Sequence, residues 1–229
     1  RQRQMCIRDR ASAGAFGVFL YGFLNRVLIP TGLHHLVWSP FVYSALGDSM
    51  IIGGEQIVGA KPVFLALLSD PSVAMMRDSA RFLTYGMMKT FGVIGVAMAF
   101  ISTAKKEKKD ATKAQIIPAT LTACLVGVTE PLEFTFLFAA PALWLVYSVL
   151  DGLFQMIVYL VGVRVCATNG IIDFLVLNLP AGIGRTRWPL YVLMGLVEIV
   201  VMYLVFRFLI VKMNFKTPGR EDGEEVTDL

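Results

Sequence analysis

Cysteine, histidine, charge and enzyme signatures are all scarce in this chain, and each scarcity excludes something. There are three cysteines in 229 residues. Cys124 and Cys166 lie in apolar surroundings and Cys6 in an arginine-rich start. No CxxC or Cys/His metal spacing accompanies them, so neither a zinc module nor a disulfide framework is expected, and the thiols read as reduced and inert. The two histidines, His34 and His35, are adjacent, and no third ligand lies at usable spacing, so no metal site is expected. No Walker, Rossmann, GxSxG or HExxH pattern stands out, and no cofactor is called for. No internal repeat is visible. Charged residues make up 17% of the chain against 56% hydrophobic, too apolar a balance for an ordinary soluble domain.

What is present is a set of long apolar runs. Residues 11–29, 82–104, 141–163 and 189–211 are each near the roughly 20 residues that span hydrocarbon. The apolar stretches at 32–41 and 116–128 are too short to cross and suit re-entrant segments. Lys105, Lys106, Lys108, Lys109 and Lys113 crowd one loop, which the positive-inside rule puts in the cytoplasm. Juxtamembrane lysines are the ordinary reading of such a cluster, and no nucleic-acid partner is expected. Counting crossings from that loop returns the C-terminal tail to the inside, with Arg185 and Arg187 left outside against the rule. Residues 47–81, with Gly53-Gly54, Lys61-Pro62 and Asp70-Pro71 as turn signals, are long for a bare connection and predict short helices. Residues 216–229 are charged, without a packing pattern, and read as a linker. Residues 1–10 hold four arginines and no apolar periodicity; they read as an artefact or non-native leader, not a signal peptide.

The expected fold class is therefore an all-α membrane protein, a polytopic helical bundle with re-entrant helical hairpins.

Two polar clusters interrupt the apolar runs. In Val128-Thr129-Glu130-Pro131-Leu132-Glu133-Phe134, two carboxylates and a helix-breaking proline share one stretch. Charge in hydrocarbon costs roughly 2.5–3.5 kcal/mol and usually marks function. A broken helix there survives only against a cavity or inside protein. Pro131 suits a first helical turn, so Glu130 is expected at a helix N-terminus. Glu133 equally fits a capping role. The second cluster is Asn25-Arg26, then Pro30-Thr31-Gly32-Leu33-His34-His35. Arg26 either snorkels to the interface or faces a site. Aromatic residues (Trp38, Phe41, Tyr43, Phe134, Phe136) flank both. Apolar rings beside Glu, Arg and His suit a polyol, although most of these rings individually fit core or lipid packing.

These motifs, with Ser39-Pro40-Phe41, Gly59-Ala60-Lys61-Pro62 and Gly127-Val128-Thr129-Glu130-Pro131-Leu132-Glu133-Phe134, resemble the membrane (IIC) component of the bacterial phosphoenolpyruvate-dependent sugar phosphotransferase system, glucose superfamily. Gly162-Val163-Arg164-Val165-Cys166-Ala167-Thr168-Asn169-Gly170 and Lys216-Thr217-Pro218-Gly219-Arg220-Glu221 are most similar to the α-glucoside and maltose branch.

The resemblance implies a multi-pass protein of the bacterial inner membrane. It implies uptake of a sugar, an α-glucoside such as maltose, released inside as its 6-phosphate. The phosphoryl group would come from a cysteine of a cytoplasmic IIB domain, supplied in turn by IIA and the phosphocarrier protein. A homodimer is implied for the full-length form. Carried over, Glu130 and His34 are catalytic, and Arg26, His34, His35, Thr129, Glu130, Glu133 and Phe134 bind substrate. Residues 11–213 would be the C-terminal part of a IIC domain, and 214–229 a linker toward a IIB domain. Such a piece is not expected to transport alone. A glucose or N-acetylglucosamine permease, a non-phosphorylating transporter or channel, and a membrane sensor are the alternatives.

Overall fold

The computed structural model describes residues 2–52 and 54–221, with side chains from residue 14 onward. Ten α-helices dominate it. Helix α1 runs Gln2–Val27, α2 His34–Tyr43, α3 Ala60–Leu68, α4 Val93–Thr103, α5 Lys109–Val126, α6 Glu130–Leu137, α7 Pro141–Leu160, α8 Ile171–Ala181, α9 Ile183–Thr186 and α10 Trp188–Met213. A short antiparallel hairpin, β1 (Ser49–Ile52) and β2 (Glu55–Val58), pairs Ser49 with Val58 and Ile52 with Glu55.

Among the described residues, three segments are long and apolar enough to cross a membrane: Asp78–Thr103, Pro141–Leu160 and Trp188–Met213. The last two carry proline in the first turn, where its missing N–H costs nothing. The first is not a uniform helix. It passes from a 3-10 stretch, Asp78–Leu83, through a turn to a π-helical stretch, Met88–Gly92, before α4. Helix α10 divides cleanly into two faces. Tyr191, Glu198, Met202, Phe206 and Ile210 are buried, while Leu193, Leu196, Val200, Leu204 and Phe208 form an exposed apolar stripe.

Helices α1 and α7 pack backbone to backbone. A Cβ on Gly152 would lie 2.7 Å from the Phe19 carbonyl oxygen, so this crossing needs glycine. One core gathers Phe100, Phe136, Trp144, Tyr147 and Phe206 from α4, α6, α7 and α10. A second joins Tyr21, Val42, Phe64, Phe82 and Leu83, and a third Met87, Phe154, Phe174 and Tyr191.

The backbone of residues 2–10 opens α1; their side chains, Cys6 included, lie outside the described ones. Several sequence expectations need correction. Residues 47–81 hold a β-hairpin as well as a helix, with Gly54 in the left-handed region (φ 89°) between the two strands. The stretch expected at 116–128 belongs to an 18-residue helix that begins in the lysine loop. The tail also packs: Thr217, Pro218 and Gly219 are buried, Lys105 N–H donates to Gly219 O at 3.0 Å, and Arg220 Nη1 donates to Thr103 O at 3.1 Å. Arg185 donates to the Leu67, Leu68 and Asp70 carbonyls, and Arg187 to Val161 O at 3.4 Å. Both arginines therefore satisfy helix-end and loop carbonyls, a use that topology counting leaves out.

Candidate functional site

Three interruptions of the helical backbone meet at one cavity of about 230 Å3. The end of α1 brings Asn25 and Arg26, and α2 brings His34, His35 and Trp38. The α5–α6 break brings Thr129 and Glu130. The segment before α8 brings Thr168 and Asn169. Lys61, Tyr85 and Lys89 complete most of the wall. Gly127 allows the second and third breaks to touch. It is left-handed (φ 84°), and a Cβ there would lie 2.8 Å from Asn169 Cα. The third break is held by side chains reading bare backbone: Asp173 accepts from Thr168 N at 3.1 Å and Asn169 N at 3.2 Å, and Asn178 bonds both N and O of Cys166. The cavity walls are thus short irregular segments enclosed by helices, the setting in which non-helical backbone is tolerated at membrane depth.

Glu130 is itself the first residue of α6, and Pro131 the second. Its carboxylate takes no hydrogen bond or ion pair among the described residues. His34 stacks near His35, with ring centroids 4.1 Å apart, and its buried Nδ1 lacks a hydrogen-bond partner. Burial, then the neighbouring His35, pushes the His34 imidazole below its usual value, so at neutral pH it is uncharged. Trp38 stacks on Tyr85 at 6.0 Å and packs near His35 at 5.5 Å, giving an aromatic wall.

Arg26 lines the cavity but is only 3% exposed. Its Nη1 donates to Glu133 Oε1 at 2.6 Å and its Nε to Asp151 Oδ2 at 2.7 Å. Tyr147 OH donates to the same Glu133 oxygen at 3.0 Å, and Gln155 Nε2 to Asp151 Oδ1 at 2.8 Å. Snorkelling is therefore not what Arg26 does. Behind the cavity it forms a fully buried ion network, with the ring of Tyr147 5.3 Å from the guanidinium.

Of the seven residues expected at substrate, five line the cavity: Arg26, His34, His35, Thr129 and Glu130. Glu133 and Phe134 do not. Glu133 is 0% exposed because Arg26 and Tyr147 draw it inward, away from both the cavity and a capping role. Phe134 lies on the outer side of α6, 45% exposed. Sequence reasoning passed over Lys61, Tyr85, Lys89, Thr168 and Asn169 in the wall and Asp151 behind it. Lys89 and Asp151 had a signal: each is an ionisable residue inside an apolar run.

Residues 10–152, well over half of the chain, match the phosphotransferase system EIIC family model. The chain belongs to that family. It is 44% identical over 224 residues to the alpha-glucoside-specific EIICB component of Fusobacterium mortiferum, covering 95% of this chain and 41% of that protein. It is 40% identical over 216 residues to the maltose-specific EIICB component of Bacillus subtilis strain 168, covering 93% and 40%. To the glucose-specific EIICBA component of Staphylococcus carnosus it is 41% identical over 218 residues, covering 93% and 31%. The chain thus spans about two fifths or less of the length of these relatives.

Proposed function

We propose that this EIIC chain is the sugar-binding part of a membrane permease that couples uptake of an α-glucoside, such as maltose, to its phosphorylation. It would act as part of a protein-phosphohistidine–sugar phosphotransferase complex, in the bacterial inner membrane and within a homodimer. The partners would be a IIB domain carrying the phosphocysteine, a IIA domain and the phosphocarrier protein. Relatives named for α-glucosides and maltose support the substrate class; the glucose-specific relative makes glucose the second candidate.

One observation carries this reading. Glu130 and His34 line a single cavity, amid helices suited to a membrane, and among the described residues neither the Glu130 carboxylate nor the buried Nδ1 of His34 has a hydrogen-bond partner. A polyol supplies hydroxyls that donate to the carboxylate and to an uncharged imidazole nitrogen. In the proposed step, Glu130 orients the 6-hydroxyl. The hydroxyl oxygen attacks phosphorus, the phosphorus–sulfur bond to the IIB cysteine breaks, and the hydroxyl proton passes late to Glu130. A loose phosphoryl transition state makes positioning the main contribution. His34 holds a neighbouring hydroxyl.

The test is phosphoenolpyruvate-dependent phosphorylation of a sugar panel by membranes holding the full-length permease and its Glu130→Gln variant. The native protein should phosphorylate α-glucosides, and the variant should insert in the membrane but lose phosphorylation. Equal activity in the two would remove Glu130 from the mechanism. Uptake of unmodified sugar by the native protein would instead favour a secondary transporter.

A further inference from the structure

We propose that Lys89 is the residue of this cavity that receives the charged phosphoryl oxygens, acting on the transferred group and not on the neutral sugar. The inference rests on the phosphotransfer reading above and adds to it a residue and a role.

The charges at the cavity wall are unequally matched. Arg26 is held by two carboxylates, Glu133 and Asp151. Lys61 Nζ lies 3.8 Å from Asp173 Oδ1 and donates to Thr168 Oγ1 at 2.9 Å. Lys89 has neither a hydrogen bond nor an ion pair among the described residues; its ammonium rests 5.3 Å from the centroid of the Tyr85 ring. An ammonium inside a membrane-crossing segment is costly unless an anion or water meets it. Glu130 is the other unmatched charge of the wall, and the two form no ion pair in this structure. One free carboxylate and one free ammonium therefore face the same enclosed space.

A neutral sugar does not call for that ammonium. Its hydroxyls find Glu130, His34, Asn25 and Asn169, which donate and accept without a second cation. The transferred phosphoryl group does call for it, since its charge is spread over three oxygens and needs a point charge that no carboxylate has already claimed.

The local backbone supports the same assignment. Lys89 sits in the π-helical stretch Met88–Gly92, whose wider turn departs from the α-helical order of side chains. Its neighbours Met88 and Thr90 are buried, Thr90 Oγ1 donating to Gly86 O at 3.0 Å, while Lys89 reaches the cavity. Such wide turns occur mainly at functional positions.

The experiment compares full-length permease with its Lys89→Gln and Lys89→Arg variants. Equilibrium binding of maltose and of its 6-phosphate is measured for each, together with phosphoenolpyruvate-dependent kcat. The expected result for Lys89→Gln is maltose affinity within about twofold of native, with 6-phosphate affinity and kcat each down by at least about tenfold. Lys89→Arg, which keeps the charge, should recover most of both. Parallel losses for both ligands in Lys89→Gln, or no loss for the 6-phosphate, would overturn the inference. So would loss of 6-phosphate binding in a membrane-inserted Lys89→Arg protein, which remains informative should Lys89→Gln fail to insert. Native permease that binds maltose without phosphorylating it would overturn the phosphotransfer reading first, and this inference with it.

Discussion

Removing Asp151 should damage the protein through the arginine it holds. Arg26 and Asp151 are 3% and 2% exposed and their charged atoms lie 2.7 Å apart. Breaking a buried pair by deleting one partner costs about 3–5 kcal/mol, because the other charge is left without compensation. Here Glu133 still holds the guanidinium at 2.6 Å, which lowers the loss, while Gln155 forfeits its acceptor, which raises it. Asp151→Ala is therefore expected near the lower end, at about 3 kcal/mol. Arg26→Met should cost more, since it strands Glu133 and Asp151 together. In the double variant the second change removes a charge already stranded, so the two losses should fall short of additivity by about 1–3 kcal/mol. The assay is unfolding of purified full-length protein in detergent, followed by loss of the monodisperse species with heat and denaturant, on all four corners of the cycle. A loss for Asp151→Ala under about 0.5 kcal/mol, the scatter of surface changes, or strict additivity would refute the network as a structural unit.

Gly152→Ala should destabilise by about 1–3 kcal/mol through overpacking, because its Cβ would press on Phe19 backbone at 2.7 Å; an unchanged melting point would deny the close α1–α7 crossing. The lowered His34 value means that the unfolded chain takes up its proton first, so this group's contribution to stability is present above the ordinary value of 6.5 and lost as pH falls below it. Sugar binding, which reads the native state alone, should stay flat through about pH 6.5, weaken only at the lower pH where the depressed His34 imidazole takes its proton, and lose that dependence in His34→Gln, as read by equilibrium binding. Arg220→Ala should speed proteolysis near residues 214–221 with little effect on sugar binding, since Arg220 ties the tail to Thr103 and Asn214 at 3.1 and 2.7 Å; unchanged cleavage would mean that the tail is held otherwise.

The spans at Pro141–Leu160 and Trp188–Met213 were legible because unbroken apolar runs open on proline. The segment Asp78–Thr103 was legible as apolar but not as a 3-10, turn and π-helical sequence, since hydropathy carries no hydrogen-bond register. The β-hairpin escaped because its strands do not alternate cleanly, and Gly53-Gly54 signals a turn without naming what it joins. At the site, Glu130 and Glu133 stand three residues apart on one helix and look equivalent in sequence. Which one meets the cavity is decided by Arg26 and Tyr147, which lie 107 and 14 positions from Glu133. Phe134 looked like a platform because it adjoins the acidic motif, yet one step along α6 turns it outward. Lys89, Asp151 and Glu198 were visible as lone charges in apolar runs, and the rule applied to Glu130 applies to each of them. Thr168 and Asn169 were not, because polar residues in a mixed loop carry no signal until the fold brings that loop against Gly127.

The central claim is that the Glu130 carboxylate receives the hydroxyl that becomes phosphorylated. Its most direct test is equilibrium binding of maltose, and of an analogue lacking that 6-hydroxyl, to native full-length permease and to Glu130→Gln. A hydrogen bond to a charged group is worth about 1.5–3 kcal/mol, so the native protein should prefer maltose by roughly ten- to a hundredfold and the variant should discriminate far less. Undiminished preference for maltose in Glu130→Gln would contradict the account.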